Sequence, residues 1–205
     1  MKRAFALVLF ALLTGACSNE QPTPDTTNAP AQRVVTFAPH LAEIVFAVGA
    51  GDSLVGVSAW SDFPGAVREL PLVGDAFTVD QEQLSLLHPD LVLVWQSGMP
   101  AHTVDELRAR GFQVESIQTR SLGDIVAAMR RIGALTGREE PAEAAASEFS
   151  QVLDTLREQY RKATPIDVFF QISSRPLYTV NREHFISEII EICGGRNIFD
   201  DLEGF

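Results

Sequence analysis

The stretch that most constrains this chain is Arg33–Pro64, RVVTFAPHLAEIVFAVGAGDSLVGVSAWSDFP. An apolar run over Val34–Ala38 meets Pro39, where a helix can begin. Leu41, Ile44, Val45 and Val48 then form a helical stripe, which Gly49 and Gly51 stop. A second run, Leu54–Ala59, delivers Trp60 onto the turn-rich segment Ser61–Pro64. Strand, helix and strand in so short a span predict a βαβ unit with Trp60 at the carboxyl end of the second strand. Open α/β sheets bind ligands at that end. From this stretch alone Trp60 has two readings, a ligand-facing aromatic or a core tryptophan.

The first residues stand apart from the fold. Lys2 and Arg3 precede an apolar run, Ala4–Leu13, then the small residues Thr14-Gly15-Ala16 and Cys17. This predicts a signal peptide over residues 1–16, with an apolar core too short to span a bilayer stably. Cys17 after small residues resembles a bacterial lipobox, with Thr14 where an aliphatic residue is usual. Lipidation of Cys17 is the expectation, and ordinary secretory cleavage is its rival. Residues 17–32, rich in Pro, Thr, Asn and Gln, read as a lipid-anchored flexible linker. The net charge of −11 becomes more negative once Lys2 and Arg3 are removed. That balance, with no basic stripe, argues against nucleic acid as a partner. With Cys17 lipidated, Cys193 stands alone in an oxidising compartment. Either it is a buried inert thiol, or its partner lies beyond Phe205.

The following segments predict alternating helices and strands. Asp80 and Gln83 have capping-box spacing for a helix over Gln81–His88. Leu91–Trp95 (LVLVW) is a continuous apolar run, as in a strand buried on both faces of a parallel sheet. It too ends in a tryptophan, and two tryptophans on strand ends suggest a flat aromatic wall. A helix over His102–Arg110, a strand over Phe112–Ile117 and a helix capped by Ser121 and Asp124 complete an α/β lobe over residues 33–140. From Pro141 one apolar face continues through Phe149, Leu153 and Leu156 to Tyr160. It predicts a helix over residues 141–164, long enough to leave the lobe or to pack along it. Residues 165–205 then supply a strand (Ile166–Ile172), a returning arm with Tyr178, a helix (Glu183–Cys193) and Asn197–Phe199. These elements do not close a second sheet, so a second lobe that is incomplete in this chain is the expectation.

Little in the composition points to catalysis. His40, His88, His102 and His184 lack metal-ligand spacing. Gly49-Ala50-Gly51 follows a helix, whereas a dinucleotide fingerprint lies between strand and helix. No phosphate loop, nucleophile elbow or acid–base pair stands out, so no catalytic residue, metal site or cofactor is expected.

The stretch above, together with HPDLVLVW and EIIEICGGRNIF, resembles the periplasmic cobalamin-binding proteins of ABC importers. They fall within a helical-backbone class that also binds ferric siderophores and haem. The resemblance covers Arg33–Phe199. It implies a two-lobed periplasmic binding protein of α/β class, with a long backbone helix between its lobes. It further implies a substrate-binding lipoprotein, not an enzyme, that delivers cobalamin to a permease. The family's cleft aromatics fall on Trp60, Trp95 and Tyr178, with Phe77 (or the neighbouring Ala76) a weaker match. His40, at the end of the first strand, can line the same cleft or only cap and pack. The family's permease-docking acid falls on Glu82, and its disulfide cysteine on Cys193, with the partner farther along. The rivals are the same fold carrying a siderophore (Arg175 and Arg182 being the nearby arginines), or haem with Tyr178 as axial ligand. An exported α/β enzyme and a surface interaction module are rivals of another class. Location is expected to be periplasmic, lipid-anchored through Cys17 or soluble after cleavage.

Overall fold

A computed structural model describes residues 29–75 and 77–203. The predicted signal peptide, Cys17, Ala76 and most of the predicted linker lie outside them. Four short strands build the first sheet: β1 (Val34–Thr36), β2 (Leu54–Val57), β3 (Leu91–Trp95) and β4 (Val114–Ile117). They pair in parallel in the order β2-β1-β3-β4. The connecting helices are α1 (Pro39–Ala47), α2 (Gln81–Leu87), α3 (Ala101–Ala109) and α4 (Leu122–Thr136).

Side chains alternate across a strand, and here both faces are covered. Val34, Leu91 and Leu93 meet Leu41 and Val45 of α1 and Ile132 of α4. Val35, Val92 and Val94 meet Leu84 of α2 and Leu107 of α3. That is why β3 is apolar at every position: neither face reaches water. The free side of β2 is partly covered by the chain itself, since the Val57 N–H donates to Pro71 O and the Val73 N–H to Val57 O.

The predicted caps form. Asp80 Oδ1 accepts from the Gln83 N–H at 2.9 Å. Ser121 and Asp124 exchange both bonds of a capping box at the start of α4. Gly137 ends that helix in the left-handed region (φ 67°), which glycine enters without a Cβ penalty.

The long helix, α5 (Glu139–Tyr160), starts two residues before Pro141 and stops four short of the predicted end. Pro141 is tolerated in the first turn because its missing N–H would find no intrahelical acceptor there. Its 22 residues span about 33 Å. It packs on α4, not on the sheet. A Cβ on Gly133 would lie 2.2 Å from that of Ala142, so the two backbones approach closely. Only Ala142 and Ala146 are buried, whereas Val152 and Tyr160 are exposed. The apolar stripe read as continuous is therefore buried only near its beginning, after which α5 carries the chain away from the first lobe.

Beyond it, β5 (Ile166–Val168) ends four residues before the predicted Ile172. The chain leaves the strand at Phe169 and bends at Ile172, and β6 (Ser173–Ser174) pairs with β7 (Leu177–Tyr178) as a separate hairpin. The apolar run is not a buried strand, since Ile166, Phe169, Phe170 and Ile172 are all exposed, and apolar character alone fixes neither the course nor the end of a strand. Helix α6 (Phe185–Ile192) leads to β8 (Gly195–Asn197), parallel to β5. Buried polar groups tie this part together: Asn197 Nδ2 donates to Val180 O and Ser187 Oγ, and Ser187 Oγ donates to Asn181 O.

The packing predicts a ranking of substitutions. Leu93→Ala, in the central strand with no solvent exposure, should cost about 3 kcal/mol. Ser121→Ala should cost about 1 kcal/mol by losing a cap. Urea denaturation of the two variants should show that order.

Candidate functional site

The strand order creates a particular place. From β1 the chain crosses to β2 on one side, and β3 lies on the other. Outside the carboxyl ends of β1 and β3 the connecting loops diverge, leaving a crevice that suits a ligand. His40, in the first turn of α1, and Trp95, the last residue of β3, meet there. Their rings are edge to face, centroids 5.3 Å apart at 87°. Thr119, just past β4, places Oγ1 3.3 Å from His40 Nε2. The Trp95 Nε1–H is buried and has no hydrogen-bond partner among the described residues. Buried polar groups without a partner are few in folded proteins.

These residues line a cleft of ≈ 460 Å³, walled by Ile44 of α1, Ile125 and Met129 of α4, Phe149 of α5 and Phe185 of α6, with Phe63 and Glu43 beside them. It continues past Trp95 and Thr119 to Ser97, Arg120, Glu183 and His184. His184 also borders a third depression, with Tyr178, Leu177 and Ile172. At the mouth, Arg120 pairs with Glu183 at 3.2 Å, and the Leu122 N–H donates to Glu188 Oε2 at 3.2 Å. Residues of the first lobe and of the part beyond α5 thus line one run of depressions.

Of the predicted ligand residues, the structure brings only His40 and Trp95 into contact. Trp60 lies on the turn after β2 with φ 70°, 87% exposed. The core reading of Trp60 is therefore wrong. Burial would have required its ring to fold over the sheet, and the turn at Ser58–Ser61 points it outward instead. Phe77 is 81% exposed at the tip of a tight loop, where Asp75 Oδ1 accepts from the Phe77 and Thr78 N–H groups. The Ala59 N–H donates to Gly74 O at 2.7 Å, tying this loop to the turn that carries Trp60. Tyr178 is 58% exposed on β7. Glu82 sits exposed in the first turn of α2. Cys193 caps α6 and is exposed, which corrects the buried-thiol alternative: α6 buries Ile192, the next residue back, and turns Cys193 outward.

Sequence reasoning missed Phe63, Thr119, Phe149, Phe185 and His184 in the cleft. Thr119 was within reach: the rule that selected Trp60 and Trp95, residues at or just past a strand's carboxyl end, also selects Gln118-Thr119. The two phenylalanines on α5 and α6 read as ordinary core positions, because periodicity cannot say which partner a helix face meets.

Burial pushes the imidazole of His40 below its ordinary value. His184 is lowered by burial and secondarily by Arg120. Both are neutral at neutral pH. A histidine whose folded value is depressed leaves the unfolded state binding more protons, so stability falls as pH drops below the free-histidine value of 6.5 toward the folded values. Urea midpoints should therefore be lower at about pH 5.5 than at about pH 7.5, and His40→Asn should remove part of that difference.

Three comparisons with known proteins bear on the site. The periplasmic binding protein family matches residues 34–204. A vitamin B12-binding protein of Vibrio cholerae serotype O1 is 38% identical over 174 residues, covering 85% of this chain and 63% of that protein. The chain thus spans 63% of the length of this curated relative. The crystal structure of the periplasmic vitamin B12 binding protein BtuF of Vibrio cholerae superposes with a TM-score of 0.77 at 38% identity, over 85% of this chain and 69% of that one. A periplasmic heme binding protein from Pseudomonas aeruginosa gives 0.75 at 25% identity, over 82% and 62%.

Proposed function

The chain belongs to the periplasmic binding protein family, and on that premise we propose that it captures cobalamin in the cleft and delivers it to an ABC importer. The observation that carries this reading is the His40–Trp95 pair at the divergence of β1 and β3. It lies on a chain that is 38% identical to a vitamin B12-binding protein. A corrin ring is flat and apolar across its faces, with amides around its edge. The cleft supplies matching surfaces: Trp95 and Phe63 as aromatic area, and His40 and Thr119 as polar groups that can meet amides.

Trp60, Phe77 and Tyr178 extend the contact on this reading. Their exposure supports it, since exposed aromatic rings are free to be covered by a ligand. Residues 33–140 and 165–205 act as the two sides of the binding cleft, with residues 141–164 as the backbone between them. Binding involves no covalent step, so the protein is not an enzyme, and cobalamin is cargo and not a resident cofactor. The stiff α5 permits only modest closure. Glu82 docks on the permease, and Cys193 pairs with a cysteine farther along the full-length protein. The signal peptide and Cys17 place the protein in the periplasm on a lipid anchor.

Haem is the second reading, supported by the haem-binding relative and by Tyr178 as an exposed axial candidate. A siderophore is less well served, because Arg182 is engaged by Asp200 and Asp201.

A tryptophan-fluorescence titration with cyanocobalamin, haem and a ferric siderophore in parallel, checked by equilibrium dialysis, separates these. Cobalamin alone should bind saturably at one site per chain. Trp95→Ala should raise its Kd by about 30-fold or more, as loss of a buried aromatic contact does, with the fold retained. Haem binding alone would transfer the assignment to haem. Absence of cobalamin binding by the full-length protein would sink the proposal.

A further inference from the structure

Trp95 is held from two sides. His40 meets its ring edge to face at 5.3 Å. On another side lies the backbone of Gly98. A Cβ at Gly98 would stand 2.1 Å from Trp95 Cε3, 2.8 Å from Cζ3 and 2.9 Å from Cδ2, where no real Cβ can be. The Gly98 N–H donates to Trp95 O at 3.1 Å, and the Met99 N–H donates to the same oxygen at 3.0 Å. These bonds turn the chain back immediately after β3. The main chain of Gly98 therefore lies directly against the indole, and it does so by being turned, not by chance proximity.

Position 98 has no left-handed backbone requirement, since Gly98 is absent from the positive-φ residues. The reason for glycine here is packing alone. The displaced atoms would be those of a side chain, and an indole can rotate where a backbone cannot. A methyl group at position 98 would thus turn the ring, with His40 limiting the escape on its side.

We propose that Gly98 is a positioning residue of the cleft: its bare Cα lets the Cε3 side of the Trp95 indole lie against the 95–98 turn and so fixes the orientation of the ring that the ligand meets. This rests on the cobalamin reading for its effect on binding, but the claim about ring orientation stands apart from the ligand.

The test uses the full-length protein in four forms: wild type, Gly98→Ala, Trp95→Ala and the double variant. Gly98→Ala should weaken cyanocobalamin binding about tenfold, as a forced repacking does. In the Trp95→Ala background the same change should alter Kd by less than about twofold, because ring and methyl are no longer opposed. The double variant also keeps the test readable should Gly98→Ala fold poorly. A Gly98→Ala protein with wild-type affinity, or an equal loss in both backgrounds, would overturn the inference. A ligand-free readout accompanies it. In the 205-residue chain carrying Trp60→Phe, Trp95 is the sole tryptophan, and there Gly98→Ala should shift its near-UV circular dichroism and emission. Unchanged spectra would likewise overturn the inference. Failure of wild type to bind cobalamin, with the spectra shifted, would strike the ligand assignment and leave Gly98 in its role.

Discussion

The structure depends on one constraint: a parallel sheet whose two faces are both buried. Burial of each Val or Leu side chain contributes about 1.5–3 kcal/mol, and β1 and β3 place such residues on both faces. Parallel strands need crossovers, and the crossovers become the helices that cover those faces. Because β1 sends its crossover toward β2 while β3 lies on its other side, the layers part at one point. Everything chemically suggestive in the first lobe lies at or near that carboxyl edge: His40, Trp60, Trp95 and Thr119.

Polar chemistry at this edge follows from the same geometry. Strand ends are where the backbone leaves the dry interior, so a ring such as Trp95 can be half buried and still border a cleft. His40 is neutral for the same reason, since burial opposes its charge. A neutral imidazole beside a hydroxyl presents hydrogen bonds without charge. That suits an amide-fringed, largely apolar ligand better than an anionic one. Glu43 lines the cleft as well, while Arg120 with Glu183, and Glu188 with the start of α4, join residues on either side of α5.

Much of this was legible in the sequence. Asp80, Ser121 with Asp124, and Gly137 mark helix ends because capping is local: partners lie within a few residues and need no tertiary information. The continuous LVLVW run declared a doubly covered strand for an equally simple reason. The misreadings share a different cause. Ile166–Ile172 read as one strand, yet only Ile166–Val168 pairs, since pairing is decided by β8 almost thirty residues later. The apolar face of α5 read as continuous, yet α4 reaches only its first turns. The cleft was half legible on the same grounds: Trp95 follows from its place at a strand end, whereas Phe149 and Phe185 enter the cleft only through the way α5 and α6 pack.

By itself, then, the sequence determined the α/β class, the helix caps, and the buried central strand with the tryptophan that ends it. Each is written in spacing and in neighbours a few residues away. Tertiary structure alone decided the strand order and, with it, the crevice between β1 and β3. It also decided the contact of His40 with Trp95 and Thr119, and the lie of the indole against Gly98. Those are meetings of residues distant in the chain or of a ring with a turned backbone. No local preference selects them, because their energy exists only once the whole sheet and its helices are in place.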